Sequence, residues 1–173
     1  SMDVYSSAPN GNMENEKSNY TSYSSDIKKL NLIRGGGSND DCLGATPVNC
    51  GDVISGSTLD NADTGGVTDG TDEWYSFTGS TPDEEVTISF CNEGTGFDTF
   101  VGIFDSCNGN LIDSNDDACG FGSELTFTSD GSSTYLIVVE GVNSFEAGVF
   151  EFSVSCMIMG DTDANNECLG AAE

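Results

Sequence analysis

The charges of this chain are divided unequally along its length. All four basic residues lie within the first 34 positions, which also hold four of the 30 acidic residues. Residues 35–173 therefore carry 26 Asp and Glu without any Lys, Arg or His. Such a surface repels nucleic acid and anionic lipid, and the lack of His excludes His-based catalytic and metal sites. We expect hard divalent cations to offset the repulsion among the carboxylates.

The cysteines indicate the compartment. The chain has seven cysteines and no CxxC spacing, which excludes a zinc ribbon or a thioredoxin-like site. In a chain rich in Gly, Ser, Thr and Asp, structural disulfides and a secreted, extracellular or cell-surface location are the natural interpretation. No apolar run approaches the roughly 18 residues that would span a bilayer, so membrane insertion is not expected.

A short internal repeat predicts the domain organisation. The sequence NDDCLGA at residues 39–45 returns as NNECLGA at residues 165–171. This predicts a tandem array in which neighbouring repeats of the same chain are partners, with Cys168 belonging to the next repeat. We expect a flexible leader and Gly-rich linker over residues 1–38, a module over 39–158, and a linker with the start of another repeat over 159–173.

The leader contains one short apolar segment, Leu30-Asn31-Leu32-Ile33. One hypothesis is that residues 26–34 dock on a sheet edge of this or a neighbouring module, with these four residues as an added strand. The alternative is that the leader is only a tether.

The pattern between the two copies of the repeat is β throughout. Residues 85–90 and 150–156 alternate between apolar and polar side chains, and residues 135–139 form a continuous apolar run, as a strand buried on both faces would. Gly, Asn and Asp punctuate the chain between these segments. We predict an all-β, disulfide-stapled, antiparallel β-sandwich that is jelly-roll-like and has about seven to eight strands.

Two acidic loops flank predicted strands. One contains Asp98 and the other contains Asn115, Asp116 and Asp117. Carboxylates that converge without a cation destabilise one another, and Ca²⁺ takes six to eight oxygen ligands of this kind. Calcium is therefore the expected cofactor. The alternative is that these are solvated turn residues, because Asp and Asn favour turns.

Several motifs resemble bacterial pre-peptidase C-terminal (PPC) domains. The residues that resemble the core motif of that family are 97–99, 109–112 and 115–117, and those that resemble its closing strands are 133–139 and 148–154. Residues 39–45 and 72–77 look like a Cys-rich variant found in secreted repeat proteins. The resemblance covers roughly residues 39–156.

This resemblance implies a β-sandwich that is often stabilised by calcium and is used for targeting, secretion or binding to polymers. By position, it implies Asp98, Asp116 and Asp117 as calcium ligands, with Asn115 as a further candidate.

Six cysteines remain for disulfides within the module. Cys91 ends a predicted strand near the Asp98 loop, and Cys119 follows the Asp117 loop, so we expect a Cys91–Cys119 bridge that clamps the proposed ion site. The pairing of the other four is open from sequence, namely Cys42, Cys50, Cys107 and Cys156.

The leading functional hypothesis is a non-catalytic, calcium-stabilised binding or adhesion module that contacts a glycan or a protein. Aromatic residues such as Trp74, Tyr75, Phe121 and Phe145 are candidates to stack on sugar rings, although a place in the core is the favoured interpretation of Trp74 and Tyr75. One alternative is an accessory targeting or secretion domain of a secreted hydrolase. Another is a glycosidase that uses two carboxylates, but no acidic residue is expected in an apolar environment that would raise its pKa.

Overall fold

The part of the chain that the structure describes contains nine β-strands and one short 3-10 turn. The structure is a computed structural model, and it describes residues 38–92 and 94–158. The strands are β1 Thr46–Val48, β2 Val53–Ser57, β3 Glu73–Thr78, β4 Glu84–Ser89, β5 Thr99–Phe104, β6 Leu111–Asn115, β7 Glu124–Ser129, β8 Thr134–Gly141 and β9 Val149–Ile158. The 3-10 turn spans Cys42–Gly44, and the Asp41 carboxylate caps it. The described residues include no helix long and apolar enough to cross a membrane.

The strands form two sheets around a common core. One sheet has the order β1-β3-β8-β5-β6 and the other has the order β2-β9-β4-β7. All of these pairs are antiparallel except that β1 runs parallel to β3. The prediction of an all-β, disulfide-stapled sandwich is confirmed, and it is antiparallel apart from this one edge pair.

Alternation in the sequence decides which side chains enter the core. In β4, Val86 and Ile88 are fully buried, while in β9 the buried residues are Phe150, Phe152 and Val154. Aromatic rings meet across the two sheets, since the ring of Phe152 lies 5.0 Å from that of Tyr75 in β3. Period-two alternation with one buried face is what each half of a sandwich requires.

The outer face of the five-stranded sheet is covered as well. A second apolar cluster lies there, formed by Trp74, Phe104, Leu136 and Val138, with Cys42, Ala45 and Cys107 packed against it. Strand β8 is therefore buried on both faces from Tyr135 to Gly141. This confirms the central strand that the continuous apolar run predicted.

Strands β1 and β2 raise the count above the expected seven to eight. Both are short and largely exposed, and they contain Pro47 and Gly56, which are disfavoured in strands. Their sequences, TPV and VISGS, do not alternate between apolar and polar side chains, so the usual strand signal is missing. Each is an edge strand that is held by a longer neighbour, β1 by β3 and β2 by β9.

Three disulfides connect the loops and edges of the described domain. Cys42 pairs with Cys107, Cys50 with Cys156, and Cys91 with Cys119, with Cα–Cα distances of 5.5, 5.5 and 5.7 Å respectively. The Cys91–Cys119 bridge is the one expected from the sequence. The other two pairings are new information, since the sequence left them open.

Other parts of the sequence-based organisation lie outside the described residues. These are the leader segment Leu30, Asn31, Leu32 and Ile33, the repeat at 165–171, and Cys168. The domain boundaries and the docking of the leader stay predictions.

We expect Phe152→Ala to lower the free energy of unfolding by about 3–5 kcal/mol, because it empties a site packed against other aromatic rings. Phe152 is fully buried and its ring contacts those of Tyr75, Phe90 and Phe150. The matched control is Phe145→Ala, since Phe145 is 94% exposed, and it should stay within about 0.5 kcal/mol of the parent. Urea unfolding followed by circular dichroism measures both, and equal losses would contradict the assigned core.

Candidate functional site

The topology brings the two predicted acidic loops to one end of the five-stranded sheet. Strand β5 begins at Thr99, directly after Asp98, and its antiparallel neighbour β6 ends at Asn115. Residues before β5 and after β6 therefore share one end. Strand β8 also finishes there, because Gly141 is the register partner of Thr99.

A third loop adds a carboxylate that the sequence analysis missed. Glu146 lies between β8 and β9, and its Oε2 accepts a hydrogen bond from the backbone N–H of Asp98 at 3.3 Å. The β8–β9 loop is held by a second bond, from the Val142 N–H to the Asp98 carbonyl oxygen at 3.1 Å. We call Asp98, Asp116, Asp117 and Glu146 the acidic end. Sequence pattern could not identify Glu146, because it stands alone in its loop.

Asp98 differs from the other members of the acidic end in having a buried carboxylate oxygen without a hydrogen-bond donor among the described residues. Its Oδ1 is buried and has no hydrogen-bond partner among residues 38–92 and 94–158. Burial is the main cause that raises the pKa of Asp98 above its ordinary value, and the negative charges of Asp117, Glu146 and Asp116 raise it further. A carboxylate in this position gains from any cation that reaches it.

Asn115, the further candidate ligand, also makes a hydrogen bond within the domain. Its Oδ1 accepts the backbone N–H of Glu124 at 3.1 Å, which ties the end of β6 to the start of β7. The carbonyl oxygen of Asp116 likewise accepts the Ser123 hydroxyl at 3.0 Å. These bonds fix the backbone of the loop that carries the Asp116 and Asp117 carboxylates.

The acidic end can hold a hard cation only with help from other oxygens. Within the described residues, the one set of three His, Cys, Asp or Glu side chains whose ligand atoms lie within 4.8 Å of each other is Cys50, Glu84 and Cys156. Two of these are joined in a disulfide, so this set is not a metal site. The carboxylates around Asp98 are more widely spaced. Calcium tolerates such irregular sites because carbonyl groups and water complete its coordination.

A cleft adjoins the acidic end. Two neighbouring cavities of about 370 and 340 Å³ share Thr95, Phe97 and Phe121. The Cys91–Cys119 disulfide lines the first cavity, while Asp98 and Glu146 line the second. A disulfide and a carboxylate group thus border the same cleft.

Two strongly exposed aromatic side chains of the described residues are also at this cleft or in the loop beside it. Phe121 is 72% exposed and lines both cavities, and Phe145 precedes Glu146 and is 94% exposed. Trp74 and Tyr75 are buried, as expected, so they cannot stack on a sugar ring.

A second pair of carboxylates lies in the interior. Asp72 and Glu140 are both fully buried, and we call them the interior pair. The expectation that no acidic residue lies in an apolar environment was wrong. Burial raises the pKa of Asp72 above its ordinary value and raises that of Glu140 to about 6. Because neither side chain is exposed, the pair cannot contact a glycoside as the carboxylates of a glycosidase do.

Backbone and hydroxyl groups of the β2–β3 loop hold the interior pair. Glu140 accepts the backbone N–H groups of Val67 and Thr68 at 2.7 Å each, and the Thr68 hydroxyl at 2.6 Å. Asp72 Oδ2 accepts the N–H and hydroxyl of Thr64 at 2.6 and 2.9 Å. A signal for Glu140 was present in the sequence, because a strand buried on both faces also buries its last residues.

We expect the free energy of unfolding to fall by about 2 kcal/mol as the pH rises and Glu140 loses its proton. The measurement is made in a chelator, so that no metal ion contributes. The folded protein holds this proton more tightly than the unfolded chain, because the pKa is about 6 instead of the ordinary 4.5. The stabilisation is complete below pH 4.5 and is lost as the pH rises through 6. Glu140→Gln removes the titration, so urea unfolding between pH 4 and 7 should give a flatter profile, and identical profiles would contradict this assignment.

The chain matches no protein-family model and no curated protein. Solved structures that it is similar to include the pre-peptidase C-terminal domain of a collagenase from Bacillus anthracis. That structure has 20% identity and a TM-score of 0.46, and the match covers 64% of this chain and 94% of that domain. Another is PliG of Aeromonas hydrophila, a periplasmic inhibitor of g-type lysozyme, with 16% identity, a TM-score of 0.46, and coverage of 65% of this chain and 96% of PliG. Neither similarity is close enough to transfer a function.

Proposed function

We propose that the β-sandwich is a non-catalytic, calcium-stabilised binding module of a secreted or cell-surface protein, and that it contacts a glycan or a protein. The observation that carries the proposal is Asp98 Oδ1, a buried carboxylate oxygen to which no described residue donates a hydrogen bond. Such an oxygen is costly to bury unless something else binds it.

The composition of the chain limits what can bind this oxygen. Residues 35–173 provide no Lys, Arg or His, so a basic side chain of this domain cannot neutralise Asp98. The neighbouring carboxylates make a positive charge more favourable still. A hard divalent ion that accepts irregular oxygen ligands fits these conditions.

Asp98, Asp116, Asp117 and Glu146 are the residues that would hold this ion. When bound, calcium supplies positive charge to three carboxylate-bearing connections: the one before β5, the one after β6 and the β8–β9 loop. Its effect is mechanical, because linking three loops reduces their freedom to move apart.

The surface proposed for ligand contact is the cleft next to these residues. Asn92 and Thr95 line it and are held by hydrogen bonds to the backbone of Glu151. The second N–H of the Asn92 amide can donate to a ligand, and the exposed ring of Phe121 offers an apolar wall. A few polar groups among apolar and aromatic side chains are typical of ligand sites. Phe145 extends this wall if the ligand reaches beyond the cleft.

The disulfides support an extracellular or periplasmic location. Three bridges in about 120 residues are typical of proteins from oxidising compartments, and they close sequence separations of 65, 106 and 28 residues.

We predict that Asp98→Asn changes stability in opposite directions with and without calcium. In EDTA, the variant should melt at or above the parent temperature, because it removes a charge that is disfavoured by burial and by its neighbours. In millimolar calcium the parent should melt higher, since a site at 100 times its dissociation constant adds about 2.7 kcal/mol. Thermal melting followed by circular dichroism measures both.

The matched control is Asp113→Asn, which removes the same charge from an exposed position on β6. It should keep the full response to calcium. If calcium leaves the parent unchanged, or stabilises the Asp98 variant equally, the acidic end is a set of solvated turn residues and the calcium part of the proposal fails.

A further inference from the structure

The interior pair lies beneath the loop that joins β2 to β3, on the outer face of the five-stranded sheet. We propose that Asp72, Glu140 and Asn61 form a second cation site there, for a hard divalent ion such as Ca²⁺. This site is separate from the acidic end, and the proposal does not depend on the function proposed above.

The two carboxylates converge on one point of the loop. A Cβ added to Gly66 would overlap Glu140 Oε1 and would lie 2.8 Å from Asp72 Oδ1. Both oxygens therefore face the same small volume beside Gly66, where only glycine leaves room. The negative charge of Asp72 also acts on Glu140, as expected for two groups at close range.

Two of the oxygens in this region lack a partner. Asp72 Oδ1 and Asn61 Oδ1 are buried and make no hydrogen bond within the described part of the chain. Asp72 is fully buried and Asn61 is 9% exposed. The Asn61 amide is fixed in place, because its Nδ2 donates to the Asp72 carbonyl oxygen at 2.7 Å. Open side-chain oxygens at nine-tenths burial are rare in folded proteins and call for an occupant.

Burial favours a proton on the interior pair, and the hydrogen bonds already present oppose that effect. Both oxygens of Glu140 and Oδ2 of Asp72 accept strong N–H and O–H donors. Donors of this kind stabilise the ionised form of a carboxyl group. Two ionised carboxylates side by side then require positive charge, which no basic residue in 35–173 supplies.

The ligand chemistry indicates calcium rather than a transition metal. The site offers carboxylate and amide oxygens and no His, and the irregular loop can add carbonyl groups or water to reach six to eight ligands. An ion can enter through the loop itself, since Ala62, Asp63, Thr64 and Gly65 above the site are exposed. Asp63 adds negative charge at this entrance.

The only tryptophan of the chain provides a local reporter. Trp74 Nε1 donates to Thr64 Oγ1 at 3.2 Å, and the same hydroxyl donates to Asp72 Oδ2 at 2.9 Å. Two hydrogen bonds thus connect the indole to Asp72, which is a proposed ligand of the ion. Terbium ions replace calcium at oxygen sites, and their luminescence appears when a nearby indole is excited.

The experiment titrates Tb³⁺ into the Asp98→Asn protein, in which the acidic end is already disabled, and excites Trp74. We expect terbium emission that excess Ca²⁺ removes. Adding Asp72→Asn or Glu140→Gln should abolish the emission, and adding Asn61→Ala should weaken Tb³⁺ binding about tenfold or more. Adding Asp113→Asn, a control of equal charge change, should leave binding unchanged.

Two results would overturn the proposal: no sensitised emission from the Asp98→Asn protein, or emission that the substitutions at 72 and 140 do not alter. Near-ultraviolet circular dichroism shows whether each variant is folded. If either carboxylate variant unfolds, Asn61→Ala decides, and unchanged Tb³⁺ affinity in a folded Asn61 variant counts against the site. Equal stabilisation of the parent and the Asp98→Asn protein by calcium would refute the acidic end and leave this site standing.

Discussion

The carboxylates of this domain must be satisfied without any basic side chain of residues 35–173. In exposed turns, backbone N–H groups and small polar side chains do this. Asp130 accepts the Ser133 hydroxyl at Oδ2, and the backbone N–H groups of Ser133 and Ser132 at Oδ1. These bonds lower its pKa to about 2. Asp105 accepts both the backbone N–H and the amide of Asn110, which lowers its pKa as well. Acidic residues of this kind close turns and need no ion.

The same comparison distinguishes the proposed ion ligands from the other acids. Asp98 and Asp72 each keep one buried oxygen that receives no donor from the described residues, and burial raises the pKa of both. The supply of donors therefore separates these two carboxylates from acids such as Asp130. Counting acidic residues along the sequence does not make this distinction, because each is a single Asp in a short segment that contains Gly and Thr or Ser.

This distinction also explains how far sequence alone could predict the structure. Alternation of apolar and polar residues predicted β4 and β9, and a continuous apolar run predicted β8, because a sandwich requires those patterns. Position relative to strands predicted that Cys91 would lie near Cys119. The edge strands β1 and β2 gave no such signal, since their pairing depends on longer neighbours. Glu146 and Asp72 depend on how loops close over a sheet, which local pattern does not encode, whereas the burial of Glu140 follows from its place at the end of β8.

The topology gives the two acidic groups a common location. Strand β3 begins at Glu73, β8 ends at Gly141 and β5 begins at Thr99, and the ladder pairs Glu73 with Val139 and Thr99 with Gly141. Asp72, Glu140 and Asp98 therefore lie at one end of a sheet whose strands are fixed by hydrogen bonds.

The Cys91–Cys119 disulfide and the cleft beside Phe121 are close to Asp98, so covalent and ionic links can act on neighbouring loops. Loops that are already ordered lose less conformational entropy when a ligand binds. A surface built from short polar loops makes few apolar contacts, so it binds a ligand tightly only if this loss of conformational entropy is small. Under the function proposed above, the acidic end and the disulfides would both hold the loops around the cleft in one conformation.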